Sequence, residues 1–205
     1  MKRGFTLIEM LVVMGIIAVL AAATMATLKG VTARAQAAHA QELVLNVATA
    51  LEKVLQDENG WPQQIISDAQ GSHRVSSTVG AELARRHLLS LNYRQRVNNA
   101  TGETVYELVG FDQCGVVTPW AAAVVKRLAG KGNVSLSAKV PSGGKIEDHI
   151  LRFAVDDDLD GIVHVGGDGI AAAAVRASAA VWCCGRDGKF GTKDDVRSWS
   201  KGQER

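Results

Sequence analysis

Proline is scarce in this chain and is missing altogether from residues 10–60. A helix across that stretch meets no proline kink. Cysteine is scarce as well: Cys114, Cys183 and Cys184 are too few for a disulfide-stapled scaffold and have no zinc-ligand spacing. In an oxidising compartment one bridge from Cys114 to the Cys183–Cys184 pair is open to them, and the alternative is three small buried hydrophobes. Net charge is missing from the larger part of the chain. Of 23 Lys and Arg, Lys2, Arg3 and Lys29 precede residue 31, and of 21 Asp and Glu only Glu9 does, so residues 31–205 are balanced. Without a basic stripe to meet phosphates, nucleic acid is not a partner. The five histidines, His39, His73, His87, His149 and His164, form no metal-ligand spacing. No Gly-x-Ser-x-Gly, phosphate-binding loop or His-Glu-x-x-His occurs, so the sequence argues against an exported enzyme.

What the chain does have is a long apolar run at its start. Phe5 to Leu28 carries one charge, Glu9, and as a helix it would rise about 36 Å, enough for a bilayer core. Lys2 and Arg3 ahead of it hold that end in the cytoplasm and send the rest outward. A carboxylate inside a membrane costs on the order of 3 kcal/mol, so Glu9 predicts a partner and a task. A cleaved secretory signal is the competing reading, since Ala21–Ala23 offers small residues for cleavage and a mature start near Thr24. An acid this early in the apolar segment counts against it. With 205 residues and 47% hydrophobic content, the chain has room for one membrane helix and one medium globular domain.

The helix is predicted to continue past the membrane. Leu43, Val44, Val47, Leu51, Val54 and Leu55 recur at three-four spacing, with Glu42, Glu52 and Lys53 off the stripe. Asn59–Gly60 supplies a left-handed stop and Pro62 prevents resumption. The spacing therefore predicts one helix from Phe5 to about Asp57, apolar all round over 5–28 and amphipathic over 29–58, with a globular domain over 59–205. A second helix is expected from about Val79 to Leu91, with Arg85, Arg86 and His87 in solvent. Thr104 to Val109 reads as the first strand of a sheet, and Trp120 to Ala129 as a short helix after Thr118 and Pro119. Further strands are expected at Ile150–Val155, Ile162–Val165 and Val175–Trp182, with Val196–Trp199 closing the chain before a frayed tail.

Two loops between these strands are rich in aspartate. Asp156, Asp158 and Asp160 form Asp-x-Asp-x-Asp-Gly, the first half of an EF-hand loop, whose alternate carboxylates can converge on calcium. The bidentate Glu of the second half is replaced by Gly167, so the alternative is a solvated acidic turn. The later loop, Gly185 to Asp195, has glycines that allow tight winding, and Asp194 beside Asp195, two carboxylates that repel unless a cation lies between them.

The run Lys2-Arg3-Gly4-Phe5-Thr6-Leu7-Ile8-Glu9 resembles the leader of type IV pilins and type II secretion pseudopilins. The resemblance implies that residues 1–4 are a leader cut off by a prepilin peptidase after Gly4, that the new Phe5 amine is N-methylated, and that Glu9 pairs with the Phe5 amine of a neighbouring subunit. It implies the α+β pilin-like fold: one long N-terminal helix, hydrophobic then amphipathic, packed on a C-terminal antiparallel sheet domain. Asn59-Gly60-Trp61-Pro62 resembles the turn that follows the first helix in pseudopilins, and Thr118 to Ala121 matches a second family motif in part. The last loop resembles the Gly-x-Asp-Gly loop of major pseudopilins, which implies calcium on Asp187, Asp194 and Asp195 with carbonyls near Cys184 and Ser198. Lys189 stands where the family can offer a hydroxyl ligand. Many members have a proline midway along the first helix, and this chain departs from them there. The resemblance as a whole implies a non-enzymatic subunit in the bacterial inner membrane with its domain in the periplasm. It would polymerise with copies of itself and work with minor pseudopilins and an inner-membrane assembly platform. The alternative within the family is a surface or adhesive type IV pilus subunit.

Overall fold

The computed structural model describes residues 7–86, 88, 93–97, 104–108, 114–132, 134–167 and 170–204, apart from the side chains of 23–29, 93–97, 104–108 and 201. The chain divides into two compact units, Met1–Ala38 and His39–Arg205. Helix α1 runs over Leu7–Glu58, close to the predicted limits.

In the first unit the described side chains of α1, from Leu7 to Ala22, are exposed. Leu7 is 83% exposed and Leu20 60%, on a surface that no described segment of the unit covers. Among the described residues no helix is long and apolar enough to cross a membrane. The expected span 5–28 includes residues 5 and 6 and the side chains of 23–28, which lie outside the described residues.

The second unit is built on three apolar clusters. In the first, Ala40, Val44, Val47, Leu51 and Val54 on the inner stripe of α1 meet helices α2 (Gln63–Gly71) and α3 (Ser77–Arg85) and one face of a sheet. The predicted stripe is thus the buried one, with Leu43 and Leu55 at its margin. Asn59 takes the left-handed stop, at φ 52°. Pro62 does not prevent a further helix; it caps α2, because a proline is as well suited to begin a helix as to end one.

The central sheet has three antiparallel strands in the order β3 (Arg152–Val155), β6 (Ala179–Cys183), β7 (Val196–Arg197). Its register pairs Arg152 with Trp182 and Val155 with Ala179. Phe153, Val155, Val181 and Cys183 face the helices, while Ala154, Ala180 and Trp182 face the hairpin β4–β5 (Val163–Gly167, Ile170–Val175) and Trp199. A sheet covered on both faces carries no polar alternation. The predicted strand Val175–Trp182 therefore holds only over residues 179–182, where β6 is buried at every position, while Val175 ends β5 and residues 176–178 are a bend. A separate hairpin joins β1 (Tyr93–Val97) to β2 (Thr104–Leu108), so the strand at Thr104 is not the first.

The third cluster packs α4 (Pro119–Ala129) on residues 134–150 around Val125, Ile146 and Ile150. The predicted proline at the first turn of α4 is in place. Helix α3 ends sooner than predicted, at Arg85, and Arg86 is not a solvated cation. Its guanidinium bonds Glu82 at 2.7 Å and Glu58 at 2.9 Å, tying the end of α1 to α3. His87 and Leu91 lie outside the described residues. Through residue 204 the tail is tied down rather than frayed: the Gln203 carbonyl accepts from the Arg176 amide, and Glu204 accepts from the Trp199 indole.

Candidate functional sites

Gly4 and Phe5 lie outside the described residues. Glu9 stands in the first turn of α1, exposed like its apolar neighbours. A carboxylate there also favours the positive N-terminal end of the helix dipole.

The two aspartate loops lie at opposite ends of the central sheet, because β3 and β6 are antiparallel and one loop follows each. The turn after β3 is organised by Asp156, which is 3% exposed. Its carboxylate accepts the amides of Asp160 at 3.1 Å and Gly161 at 2.7 Å, and Asp160 accepts the amide of Ile162 at 2.7 Å. Leu159 and Gly161 hold positive φ angles of 61° and 84°, which fold the turn back on itself. The Trp61 indole donates to the Asp156 carbonyl at 2.6 Å, and Gln70 donates to the exposed Asp157 at 2.7 Å. One oxygen each from Asp156, Asp158 and Asp160 lies within 4.8 Å of the others. That is about twice a calcium–oxygen distance, so a hard cation fits between them. Burial pushes the Asp156 carboxyl above the usual range, opposed by the Gly161 amide and reinforced by the neighbouring carboxylates.

The loop after β6 is wound by Gly188 and Gly191, both at positive φ. Gly185 is required for a different reason: a Cβ there would occupy the space of the Asp194 carboxylate. Asp187 accepts the Lys189 amide at 2.9 Å, and Asp195 accepts the Gly191 amide at 2.7 Å. The Thr192 hydroxyl bonds Asp194 at 2.6 Å and lies 3.2 Å from Asp195. Burial would raise the Asp194 carboxyl, but the Thr192 hydroxyl and the Asp187 amide hold it below its ordinary range, whereas burial leaves Asp195 above it. Among the described residues, the acidic trio whose oxygens gather within 4.8 Å is the one at Asp156, not this one. The donor set here is still hard oxygen with a hydroxyl among it. A hydroxyl does reach these carboxylates, and it belongs to Thr192 rather than to position 189.

His149 was missed by sequence reasoning, which treats most of the histidines as surface groups. It is fully buried; Nε2 donates to the Gly143 carbonyl at 2.9 Å, and Nδ1 lies 2.9 Å from the Thr118 hydroxyl. Only the second contact has a trace in the sequence, since Thr118 precedes α4 as a cap residue yet leaves its cap unmade. The Cys184 thiol lies 3.4 Å from the same Nδ1 and donates to the Asp148 carbonyl at 3.1 Å. Burial raises both vicinal thiols, Cys183 to about 12 and Cys184 further. A cysteine beside a histidine resembles a nucleophile pair, but a sealed thiol held protonated is a poor nucleophile. Cys114, Cys183 and Cys184 are separate buried thiols, not joined in a disulfide.

Residues 1–25 match the family model of the prokaryotic N-terminal methylation motif. No curated protein and no solved structure matches the chain. The match supports a type IV pilin-like subunit processed by a prepilin peptidase, with the polymerisation and membrane anchoring that such a leader implies. The long first helix followed by helices and antiparallel sheets is the α+β arrangement consistent with a pilin-like fold.

Proposed function

We propose that this chain is a pseudopilin of a type II secretion system, a non-enzymatic subunit that leaves the inner membrane and polymerises in the periplasm to support protein export. The observation that carries the reading is the methylation motif over residues 1–25, running directly into a helix whose described apolar side chains through residue 22 are exposed. Such a surface needs lipid before assembly and neighbouring helices after it. Glu9 would meet the methylated Phe5 amine of the adjoining subunit, which sets a carboxylate against an ammonium in a low-dielectric setting. Minor pseudopilins and an inner-membrane platform are the partners this role requires.

The pseudopilus is preferred over a surface pilus because the loop Gly185–Asp195 after β6 is rich in aspartate and the three cysteines form no disulfide loop. Calcium belongs to the proposal at two places. Asp187, Asp194 and Asp195 would hold it in the last loop, with Thr192 as the hydroxyl, and Asp156, Asp158 and Asp160 would hold it in the turn after β3. Bound calcium would supply charge neutralisation and a clamp on each loop.

Intact mass and N-terminal sequencing of the mature protein test the family reading. The expected start is N-methyl-Phe5, and a start near Thr24 would overturn it. Immunogold labelling then separates the branches, with periplasmic label expected; label along extracellular fibres would transfer the chain to the surface pili.

A further inference from the structure

The last loop of the domain is seated on a turn through glycine backbone. Residues 140–145 fold back tightly: the Gly143 amide donates to the Val140 carbonyl and the Val140 amide to the Gly144 carbonyl, both at 3.1 Å. Gly143 lies against the Asp187 carbonyl, and Gly144 lies so near Gly188 that a Cβ on Gly188 would stand 2.8 Å from the Gly144 Cα. Backbone thus meets backbone with no side chain to take up a displacement. A gap of about 0.5–1 Å already forfeits a quarter to a half of such an attraction, so where the turn stands decides where Asp187 stands.

His149 fixes the turn from inside the domain. It ends the 3₁₀ turn Ile146–His149 and is fully buried. Its Nε2 lies 2.9 Å from the Gly143 carbonyl, and because a carbonyl only accepts, Nε2 carries the proton. Burial favours the neutral ring, which leaves Nδ1 to accept from the Thr118 hydroxyl at 2.9 Å. Thr118 is held in turn, since its amide donates to the His149 carbonyl at 2.9 Å. The same Nδ1 is 3.4 Å from the Cys184 thiol, and Cys184 is the residue before Gly185, where the loop begins. One ring therefore spans the start of α4, the turn and the root of the last loop. With one nitrogen donating and the other accepting, it has nothing left to offer a metal.

We propose that His149 is a positioning residue for the last loop: by holding the Gly143 carbonyl it sets the backbone seat of Asp187, and with it the fitness of Asp187, Asp194 and Asp195 for a hard cation, while providing no ligand itself. Groups that bind an ion are commonly aimed by buried residues behind them. The part that concerns calcium rests on the calcium reading of this loop; the seating of the loop does not.

The test uses two substitutions that divide the ring between them. A glutamine amide reaches as far as Nε2 and can donate to Gly143, whereas an asparagine amide reaches only as far as Nδ1 and can meet Thr118 but not Gly143. Wild type, His149→Gln and His149→Asn are exposed briefly to trypsin as full chains in detergent, first in EDTA and then across a calcium chloride titration. Mass spectrometry reads cleavage after the exposed Arg186, Lys189 and Lys193 of the loop, with the exposed Lys53 of α1 as internal reference. In EDTA, His149→Asn should be cut about tenfold faster than wild type at the loop positions and His149→Gln within about twofold of it, with Lys53 unchanged in both. In the titration, His149→Asn should need about tenfold more calcium for half protection of the loop, and His149→Gln about as much as wild type. If calcium protects the loop in none of the three chains, the calcium reading fails and takes that half of the proposal with it, and the EDTA rates decide the seating by themselves. Loop cleavage in His149→Asn at the wild-type rate overturns the seating. An equal rise in both variants also overturns it, since the ring would then only fill space, and so does a parallel rise at Lys53, the mark of a domain weakened throughout.

Discussion

Replacing Gly143 by alanine should loosen the last loop of the domain while every one of its aspartates is kept. Gly143 has φ 144°, and a Cβ at that position would fall on the Asp187 carbonyl, backbone that cannot swing aside as a side chain tip can. Two penalties add: left-handed strain of about 1–3 kcal/mol and displacement of packed backbone of about 1–3 kcal/mol. A loss near 3 kcal/mol is therefore expected, which for a domain of this size lowers the thermal midpoint by roughly 6–12 °C. Gly132→Ala is the matched control, because Gly132 also has positive φ, 77°, but nothing lies within 4 Å of the added carbon. Strain alone should lower its midpoint by roughly 2–4 °C. Both variants would be melted as full chains in detergent and then exposed briefly to trypsin, for which Arg186, Lys189 and Lys193 stand exposed on the loop. Faster cleavage at those three positions in Gly143→Ala only is the expected result. Equal midpoints for the two variants would refute the packing of Gly143 against Asp187 as the reason for the glycine.

Glu82 is held at about 2 by Arg85 and, against the opposing effect of burial, by Arg86. Its folded value lies below the unfolded one, so the stability it contributes is complete above about pH 4.5 and is lost as the pH falls toward 2. Because Arg85 is half exposed, that contribution is about 1 kcal/mol after screening; urea melts of Glu82→Gln should sit below wild type by this amount at pH 6 and converge with it near pH 2, and a constant gap would rule the ion pairs out as its source. Calcium at 100 times its dissociation constant should stabilise the chain by about 2.7 kcal/mol. Asp156→Asn should reduce that gain if the turn after β3 is occupied and Asp194→Asn if the last loop is, while an unchanged midpoint on adding calcium to wild type excludes both. Glu9→Ala should leave the melt unchanged and reduce filament yield at least tenfold; assembly at the wild-type level would remove the pairing with Phe5.

The first helix was legible because its information is local and redundant: a continuous apolar run, a three-four stripe from Val44 to Val54 and a stop at Asn59 all agree. The leader is legible for a different reason, since a peptidase and a neighbouring subunit must read it as linear sequence. The sheet was harder. β6 is buried on both faces, so Ala179 to Cys183 shows no alternation, and the bend at residues 176–178 has no glycine or proline to announce it. Helix α2 leaves little trace in the sequence, because Pro62 marks a stop as readily as a start and Gln63–Gly71 has only Ile65 and Ala69 fully inward. Of the candidate sites, the acidic residues were visible as residues, but their order of convergence was not. Which trio gathers depends on how Asp156 is drawn inward beneath Trp61, a contact between residues 95 apart. His149 shows the same limit, since both its partners come from segments that no local pattern links to it.

The Trp61 indole joins the elbow after α1 to the backbone of the acidic turn. Residues that distant cannot reach their final arrangement until most of the domain has condensed, so the turn is among the last parts to mature. The same bond makes the elbow and the turn open together rather than separately. Hydrogen exchange at the indole nitrogen would thus time the opening of the acidic turn from a position that carries no carboxylate of its own.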